Sequence, residues 1–237
     1  MNILITICAR GGSKGIPGKN IKDLDGRPLI SYSIDLAFKF SKIYNCDIVL
    51  STDSERIKDI AAKCGLLTDY QRPEHLSLDS TGKIDTLKDV IKFQEKLSGK
   101  SYDYIIDLDV TSPLRNLYDL EKGFNLLQDD LEAYNIFSVS DSNRNPYFNI
   151  VELKDNGYYD VVKRGTFFSR QQAPIVYDMN SSFYIYKSKF FESNQITTTT
   201  TKSLIYLMPH ICFDLDHLID FHFMEFLIKN KKLDFEL

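Results

Sequence analysis

The chain begins with a short apolar run, Met1-Asn2-Ile3-Leu4-Ile5-Thr6-Ile7, that passes directly into a glycine-rich cationic stretch. Between Ala9 and Lys22 stand four basic residues (Arg10, Lys14, Lys19 and Lys22), no acidic residue, and four of the eleven glycines (Gly11, Gly12, Gly15 and Gly18). This junction constrains the fold more than any other feature. The apolar run is far shorter than the roughly 20 residues of a membrane span, and it lacks the basic lead of a signal peptide. It reads as a first, buried strand. In open α/β sheets ligands gather beyond the carboxyl ends of the strands. Glycines there let backbone N–H groups approach phosphate oxygens closely, and cationic side chains neutralise the charge. The competing reading is a solvated loop whose glycines only turn the chain, and the position after the first strand weighs against it. A di- or triphosphate is the natural ligand. Two familiar phosphate loops fail on spacing. A P-loop ending in Gly18-Lys19 needs glycine where Ser13 stands and Ser or Thr where Asn20 stands, and the dinucleotide fingerprint needs glycine where Ser13 or Lys14 stands.

The remainder alternates apolar runs with amphipathic stretches, the pattern of an α/β domain. Helices are expected over Leu29 to Phe40, Ser54 to Cys64, Ile84 to Leu97, around Leu117 to Leu127, and from about His217 to Lys229. Thr52 and Glu55 stand in capping-box spacing before the second of these, and Gly65 stops it. Strands are expected at Asp47 to Ser51, Tyr104 to Val110, Leu204 to Met208 and Cys212 to Leu215. From about Ala133 to Lys187 strand-like segments follow one another, with Asn156-Gly157 as a hairpin turn, so residues 135–187 read as a β-rich insertion within a single domain spanning 1–237.

Composition then removes whole classes. A chain of 237 residues with 43% hydrophobic residues can bury a core and is not disordered. The net charge of −4 gives no bulk attraction to nucleic acid or to an anionic membrane, and neither is expected as a partner. Cys8, Cys46, Cys64 and Cys212 lie far apart, which fits neither a disulfide scaffold nor a zinc ribbon but does fit a reducing, cytoplasmic compartment. His75, His210, His217 and His222 show no ligand spacing and read as structural.

Two acidic pairs stand out against the cationic loop. Asp214 and Asp216 sit two apart at the end of the last expected strand, and alternation places such residues on one face. Together they could hold Mg²⁺, which takes oxygen ligands and shares them with phosphates. The alternative is that Asp216 merely caps the closing helix. Asp107 and Asp109 form a similar pair before Thr111-Ser112-Pro113-Leu114-Arg115, and either face the same crevice or satisfy that turn's N–H groups. A cationic loop with carboxylate pairs at strand ends is what nucleotidyl transfer needs.

Ala9-Arg10-Gly11-Gly12-Ser13-Lys14-Gly15-Ile16-Pro17-Gly18-Lys19-Asn20 closely resembles the nucleotide loop of the acylneuraminate cytidylyltransferases, or CMP-sialic acid synthetases. Further blocks follow in that family's order: Ser51-Thr52-Asp53-Ser54 with Arg72-Pro73 and Leu78-Asp79; Thr111-Ser112-Pro113-Leu114-Arg115; Arg170-Gln171 with Asn180; and Phe213-Asp214-Leu215-Asp216. The resemblance covers essentially the whole chain. It implies a Rossmann-like, three-layer α/β nucleotide-sugar transferase fold, and a homodimer in which the β-rich insertion reaches over the neighbouring subunit's site. It implies attack by the anomeric hydroxyl of a nine-carbon 2-keto sugar acid, a nonulosonic acid, on the α-phosphate of CTP.

Carried over by position, the resemblance assigns Arg10, Ser13, Lys14 and Lys19 to the triphosphate, with the loop backbone at Ala9 and Gly11. Asn20, Asp53, Arg72 and Asp79 would fix the nucleotide, and Asp214 and Asp216 would bind Mg²⁺, with Mn²⁺ as a substitute. Arg10, Lys19, Asp214 and Asp216 would carry the chemistry. Arg170 and Gln171 would lie near the sugar acid, together with Asp109, Thr111, Ser112, Tyr147 and Asn180. Three positions depart from the pattern. Asp109-Val110 replaces the Gln-Pro of many members, Ser181 rather than glycine follows Asn180, and Asn145-Pro146-Tyr147-Phe148-Asn149-Ile150 lacks a nearby lysine. These features look more like the branch handling bacterial relatives such as legionaminic acid, and the sugar stays open. The alternatives are a CMP-Kdo synthetase, against which Thr111-Ser112-Pro113-Leu114-Arg115 argues, and a catalytically silent nucleotide-sugar-binding protein, which would have lost Lys19, Asp214 or Asp216.

Overall fold

A computed structural model of the chain describes residues 1–12, 15–167 and 169–237, with the backbone alone for Arg170. Ser13, Lys14 and the side chain of Arg170, all expected at the site, therefore lie outside the described residues. Strand β1 (Ile3–Cys8) opens the chain, and the glycine loop leads through a ribbon of β2 (Asp23–Leu24) and β3 (Arg27–Pro28) into helix α1 (Leu29–Ser41). There follow β4 (Cys46–Ser51), α2 (Glu55–Lys63), α3 (Lys83–Ser98), β5 (Tyr104–Asp109) and α4 (Leu117–Asp129). The second half contains β6 (Asn135–Asp141), β7 (Val151–Leu153), β8 (Tyr159–Val161), β9 (Tyr177–Lys187), α5 (Ser188–Glu192), β10 (Ser203–Leu207) and α6 (Leu218–Lys229).

Six strands form the main sheet in the order β10-β6-β9-β5-β1-β4. β1 is parallel to both neighbours, β9 runs antiparallel to β5 and β6, and β10 is parallel to β6. Alternation along the strands explains the layering. Ile3, Ile5 and Ile7 pack with Ile30, Ile34, Phe124 and Met224 on one face, which α1, α4 and α6 cover. Leu4, Val49, Ile105, Tyr184 and Tyr186 pack with Leu87, Val90 and Phe190 on the other, under α3 and α5. The expected three-layer α/β fold is what forms. The chain leaves β1 for β4 on one side and returns to β5 on the other, so the carboxyl end of β1 is the switch point where such sheets place ligands.

Three expectations change. Residues 135–187 are not all insertion, because β6 and β9 are inner strands of the main sheet; only the separate β7–β8 ribbon and its flanks project from it. An inner strand buried on both faces reads as apolar whatever its neighbours, so pairing partners cannot be read from its own residues. Cys212 to Leu215 is not a strand. Its backbone is held singly instead, by Leu215 N–H on Thr111 O (2.9 Å), and by the hydroxyls of Ser140 on Cys212 O (3.1 Å) and Ser112 on Phe213 O (3.3 Å). The cap of α2 is Ser54, whose Oγ accepts from Ile57 N–H, while Thr52 Oγ1 accepts from Ser54 N–H.

Candidate active site

The glycine loop leaves β1 at its carboxyl end and is clasped from below. Ala9 is buried, with its N–H on Ser51 O (2.9 Å), and Gly11 N–H donates to Asp53 Oδ1 (2.7 Å). Asn20, buried, donates from Nδ2 to Arg10 O (2.9 Å) and so folds the far end of the loop back onto its start. Arg72 is also buried and holds the end of β4 through Ser51 O (2.6 Å) and Ser51 Oγ (3.0 Å). Arg10 is paired with Asp79. Lys19 donates to Leu215 O and lies 4.0 Å from Asp216 Oδ1. Gly15 packs so closely on this segment that a Cβ there would stand 2.4 Å from Asp216 O. The cationic loop and the acidic pair, some 200 residues apart in sequence, are thus in direct contact.

A cleft of about 450 Å³ opens over the carboxyl ends of β1 and β5. Of the sequence-predicted residues, Arg10, Lys19, Asn20, Arg72, Asp79, Asp109, Thr111 and Asp216 line it. Ala9, Gly11 and Asp53 support the loop by the bonds given above. Asp214 is not in the cleft lining, and its Oδ1 is buried and without a hydrogen-bond partner. Burial first, then the charges of Asp109 and Asp216, push its pKa up to about 7. Burial disfavours the ionised form of such a carboxyl, and a nearby cation would favour it. Asp216 is largely exposed and is not the helix cap: His217 takes that position, reciprocally bonded with Asp220. Among the described residues no three His, Cys, Asp or Glu side chains are arranged to hold a metal alone. Two carboxylates fit the Mg²⁺ habit of leaving the other positions to phosphate and water.

Several predicted sugar-side residues stand elsewhere. Ser112 is buried, with Oγ on Asn180 O (2.7 Å). The Asn180 side chain is spent inside the sheet, accepting from Ser138 Oγ (2.6 Å) and donating to Ser140 Oγ (2.9 Å), at the register shift between β6 and β9. Ser181 follows at φ 57°, the left-handed conformation that glycine adopts freely, which accounts for glycine being the residue this position favours in the pattern it resembles. Tyr147 packs edge-on against Phe167 (5.7 Å between ring centres), and Gln171 lines a separate hollow with Asn145 and Pro174 at the base of the β7–β8 arm. Neither lines the cleft of this chain.

Sequence reasoning missed Lys83, which lines the cleft from the first turn of α3 and lies 2.8 Å from Asp107 Oδ2 and 3.2 Å from Asp109 Oδ2. Burial alone would lower the pKa of Lys83, but the charges of Asp107 and Asp109 overcome it and raise it well above the ordinary lysine value. A signal existed: positions 83, 87 and 90 share one helical face, so a lysine stands on the apolar stripe of Leu87 and Val90. Thr81, Thr86 and Cys8, also in the lining, carry no comparable signal.

A sequence profile of the cytidylyltransferase family matches residues 4–233. Post-translational flagellin modification protein B of Campylobacter coli is 41% identical over 231 residues, covering 98% of this chain and 97% of that protein. The CMP-N,N'-diacetyllegionaminic acid synthase of Campylobacter jejuni is 38% identical over 231 residues, again covering 98% and 97%. Among solved structures, CMP:2-keto-3-deoxy-manno-octonic acid synthetase complexed with CTP superposes with a TM-score of 0.69 at 16% identity, over 98% of this chain and 100% of that one, a likeness of fold.

Proposed function

The chain belongs to the cytidylyltransferase family, and from that footing we propose that it activates a nine-carbon 2-keto sugar acid with CTP, giving the CMP-sugar and pyrophosphate. The observation that carries this reading is the contact of the Lys19 loop with Asp216 at the switch point of the sheet. The acceptor's anomeric oxygen bonds to the α-phosphorus, the bond from the α-phosphorus to the bridging oxygen of the β-phosphate breaks, pyrophosphate leaves, and the hydroxyl proton passes to solvent water. Arg10 and Lys19 neutralise the triphosphate and the charge that grows on the leaving group. Asn20 and Arg72, both buried in the cleft wall, would hold the nucleoside. Asp214 and Asp216 would hold Mg²⁺, or Mn²⁺ in its place; the unpartnered Asp214 oxygen supports this assignment. When bound there, the ion would polarise the α-phosphate and favour the ionised acceptor hydroxyl.

Legionaminic acid is the acceptor that the 38% identical relative points to, and sialic acid belongs to the same chemical class. The octonic acid synthetase is alike in fold only and supports no reading of the acceptor. A homodimer accords with the β7–β8 arm, where Val151, Leu153, Tyr158 and Tyr159 are exposed and have no core of their own to cover them. Such a dimer would bring Gln171 and Arg170 of the arm over the neighbouring cleft. CTP as co-substrate and four unpaired cysteines accord with the cytoplasm. Among the described residues, no helix is long and apolar enough to cross a membrane.

The test is a pyrophosphate-release screen with CTP and Mg²⁺ against sialic, legionaminic, pseudaminic and Kdo acceptors. Release with a nine-carbon acid, abolished by EDTA, is expected. If no cytidine nucleotide is consumed with any nine-carbon acid, the reading is wrong.

A further inference from the structure

Lys83 enters the cleft from the first turn of α3, which covers the sheet face opposite to the one carrying Ile16 and Leu215 of the phosphate side. Two carboxylates accept from its ammonium, and an aromatic ring lies beside it. Asp107 Oδ2 lies at 2.8 Å, Asp109 Oδ2 at 3.2 Å, and the centre of the Tyr184 ring at 4.4 Å. Both carboxylates are themselves fixed. Asp107 is fully buried and accepts from Thr6 Oγ1 at 2.9 Å. Asp109 Oδ1 accepts both the N–H and the hydroxyl of Thr111, each at 2.9 Å. An ammonium has three donors. Two are taken by the carboxylates, and the side chain keeps 28% exposure on the cleft side.

Charge decides what the third donor can serve. Two carboxylates around one ammonium leave a local excess of one negative charge, so phosphate or a sugar carboxylate is disfavoured here. Arg10 and Lys19, on the glycine loop, each face a single carboxylate (Asp79 and Asp216) and carry no such excess of negative charge. An uncharged oxygen meets no such repulsion, and a hydrogen bond from an ionised donor is stronger than a neutral one. We infer that Lys83, oriented by Asp107 and Asp109, is a positioning residue that donates to an uncharged hydroxyl or carbonyl oxygen of a bound substrate. The inference rests on the cytidylyl-transfer reading. Thr111, fixed by Asp109, accepts from Leu215 N–H between the two proposed metal ligands, so the Lys83 wall continues into the reacting end of the cleft. That placement favours the sugar acid as the source of the oxygen; a ribose hydroxyl of CTP has the same chemistry.

Lys83→Met alone leaves Asp107 and Asp109 facing one another, so the double variant Lys83→Met with Asp107→Asn is the one to read. CTP and the nine-carbon acid are titrated separately onto wild type and variant by calorimetry, with KM values and thermal melts alongside. Loss of a hydrogen bond from a charged donor should weaken the sugar acid about 10-fold, with CTP unchanged and the variant folded. If ribose is the source, CTP weakens instead, and 2'- or 3'-deoxy-CTP binds both proteins equally. Either result supports the donor role. Unchanged affinity for both substrates in a folded variant overturns it, as does an equal loss for both that tracks a fall in melting temperature. A wild type that binds both substrates but releases no pyrophosphate would sink the transfer reading, while the titrations would still judge Lys83. A wild type that binds neither removes both.

Discussion

Replacing Gly15 by alanine would set a Cβ 2.4 Å from the carbonyl oxygen of Asp216. Real Cβ contacts essentially never fall below 3.0 Å, and ordinary contact begins near 3.4 Å. The loop and the Asp216 backbone must therefore part by roughly 0.6 to 1 Å, and no flexible side chain can yield, because the atom met is backbone. The displacement falls on the residue proposed to hold the metal and beside the carbonyl that receives Lys19. A misplacement of about 1 Å in a reacting geometry costs on the order of 100-fold in rate, or about 2.7 kcal/mol of barrier. Gly15 is exposed and has no left-handed φ, so alanine is allowed by its own backbone and the fold should survive. Gly12, in the same loop, would meet nothing within 4 Å on gaining a Cβ and serves as the control. The assay is pyrophosphate release with saturating CTP and acceptor across a Mg²⁺ titration, with a thermal melt of each variant. Gly15→Ala should lose about two orders of magnitude in kcat and need more Mg²⁺, while Gly12→Ala stays near wild type. A Gly15→Ala enzyme within a few-fold of wild type, or an equal loss in Gly12→Ala, refutes the reasoning.

Two further outcomes are expected. Asp216→Ala should cut turnover by about 100-fold or more yet shift stability by no more than about 0.5 kcal/mol, since the side chain is 74% exposed and caps no helix; a loss of folding with retained specific activity would return Asp216 to a structural role. His210 is a stability element with a defined pH dependence. Its Nε2 lies 3.0 Å from Asp119 Oδ2 and its ring stacks on Phe235 at 3.5 Å. Burial opposes the charged form, but the bonds to Asp119 and Ile211 O prevail and raise its pKa above 6.5. A raised folded-state pKa means the contribution is complete below pH 6.5 and lost as pH climbs through the higher native value. Melts of wild type and His210→Gln should therefore differ most in acid and converge in alkali. Parallel curves would contradict the assignment.

How far the site was legible depends on how its residues are related along the chain. The glycine loop was readable because its requirements are local: close backbone approach and positive charge are properties of twelve consecutive residues, Ala9 to Asn20. The helices from Leu29, Lys83 and Leu117 were likewise readable, each being fixed by the period of its own apolar stripe. The spacing of Asp214 and Asp216 marks them as a pair, but strand alternation is not what places them. Their segment is not a strand, and what brings Asp216 to the loop is the contact of Lys19 and Gly15 with its backbone.

Strand pairing and the direction of side chains inside the fold were decided elsewhere. Nothing within Asn135 to Asp141 states that it will pair with a strand some 40 residues later rather than with the nearby β7. Ser112 and Asn180 fall in blocks that look functional in sequence, yet both are spent inside the fold: Ser112 Oγ donates to the Asn180 carbonyl, and the Asn180 side chain bonds Ser138 and Ser140 at the register shift between β6 and β9. Lys83 shows the converse, a lysine given its place in the cleft by Asp107 and Asp109 from a strand that follows it. The amino-acid sequence by itself determined the elements, the α/β class and the phosphate loop, because those follow from backbone sterics and short periodicities. Only the tertiary structure decided which charges meet, because the energy of an ion pair or a buried carboxylate depends on distance and desolvation between residues that are remote along the chain.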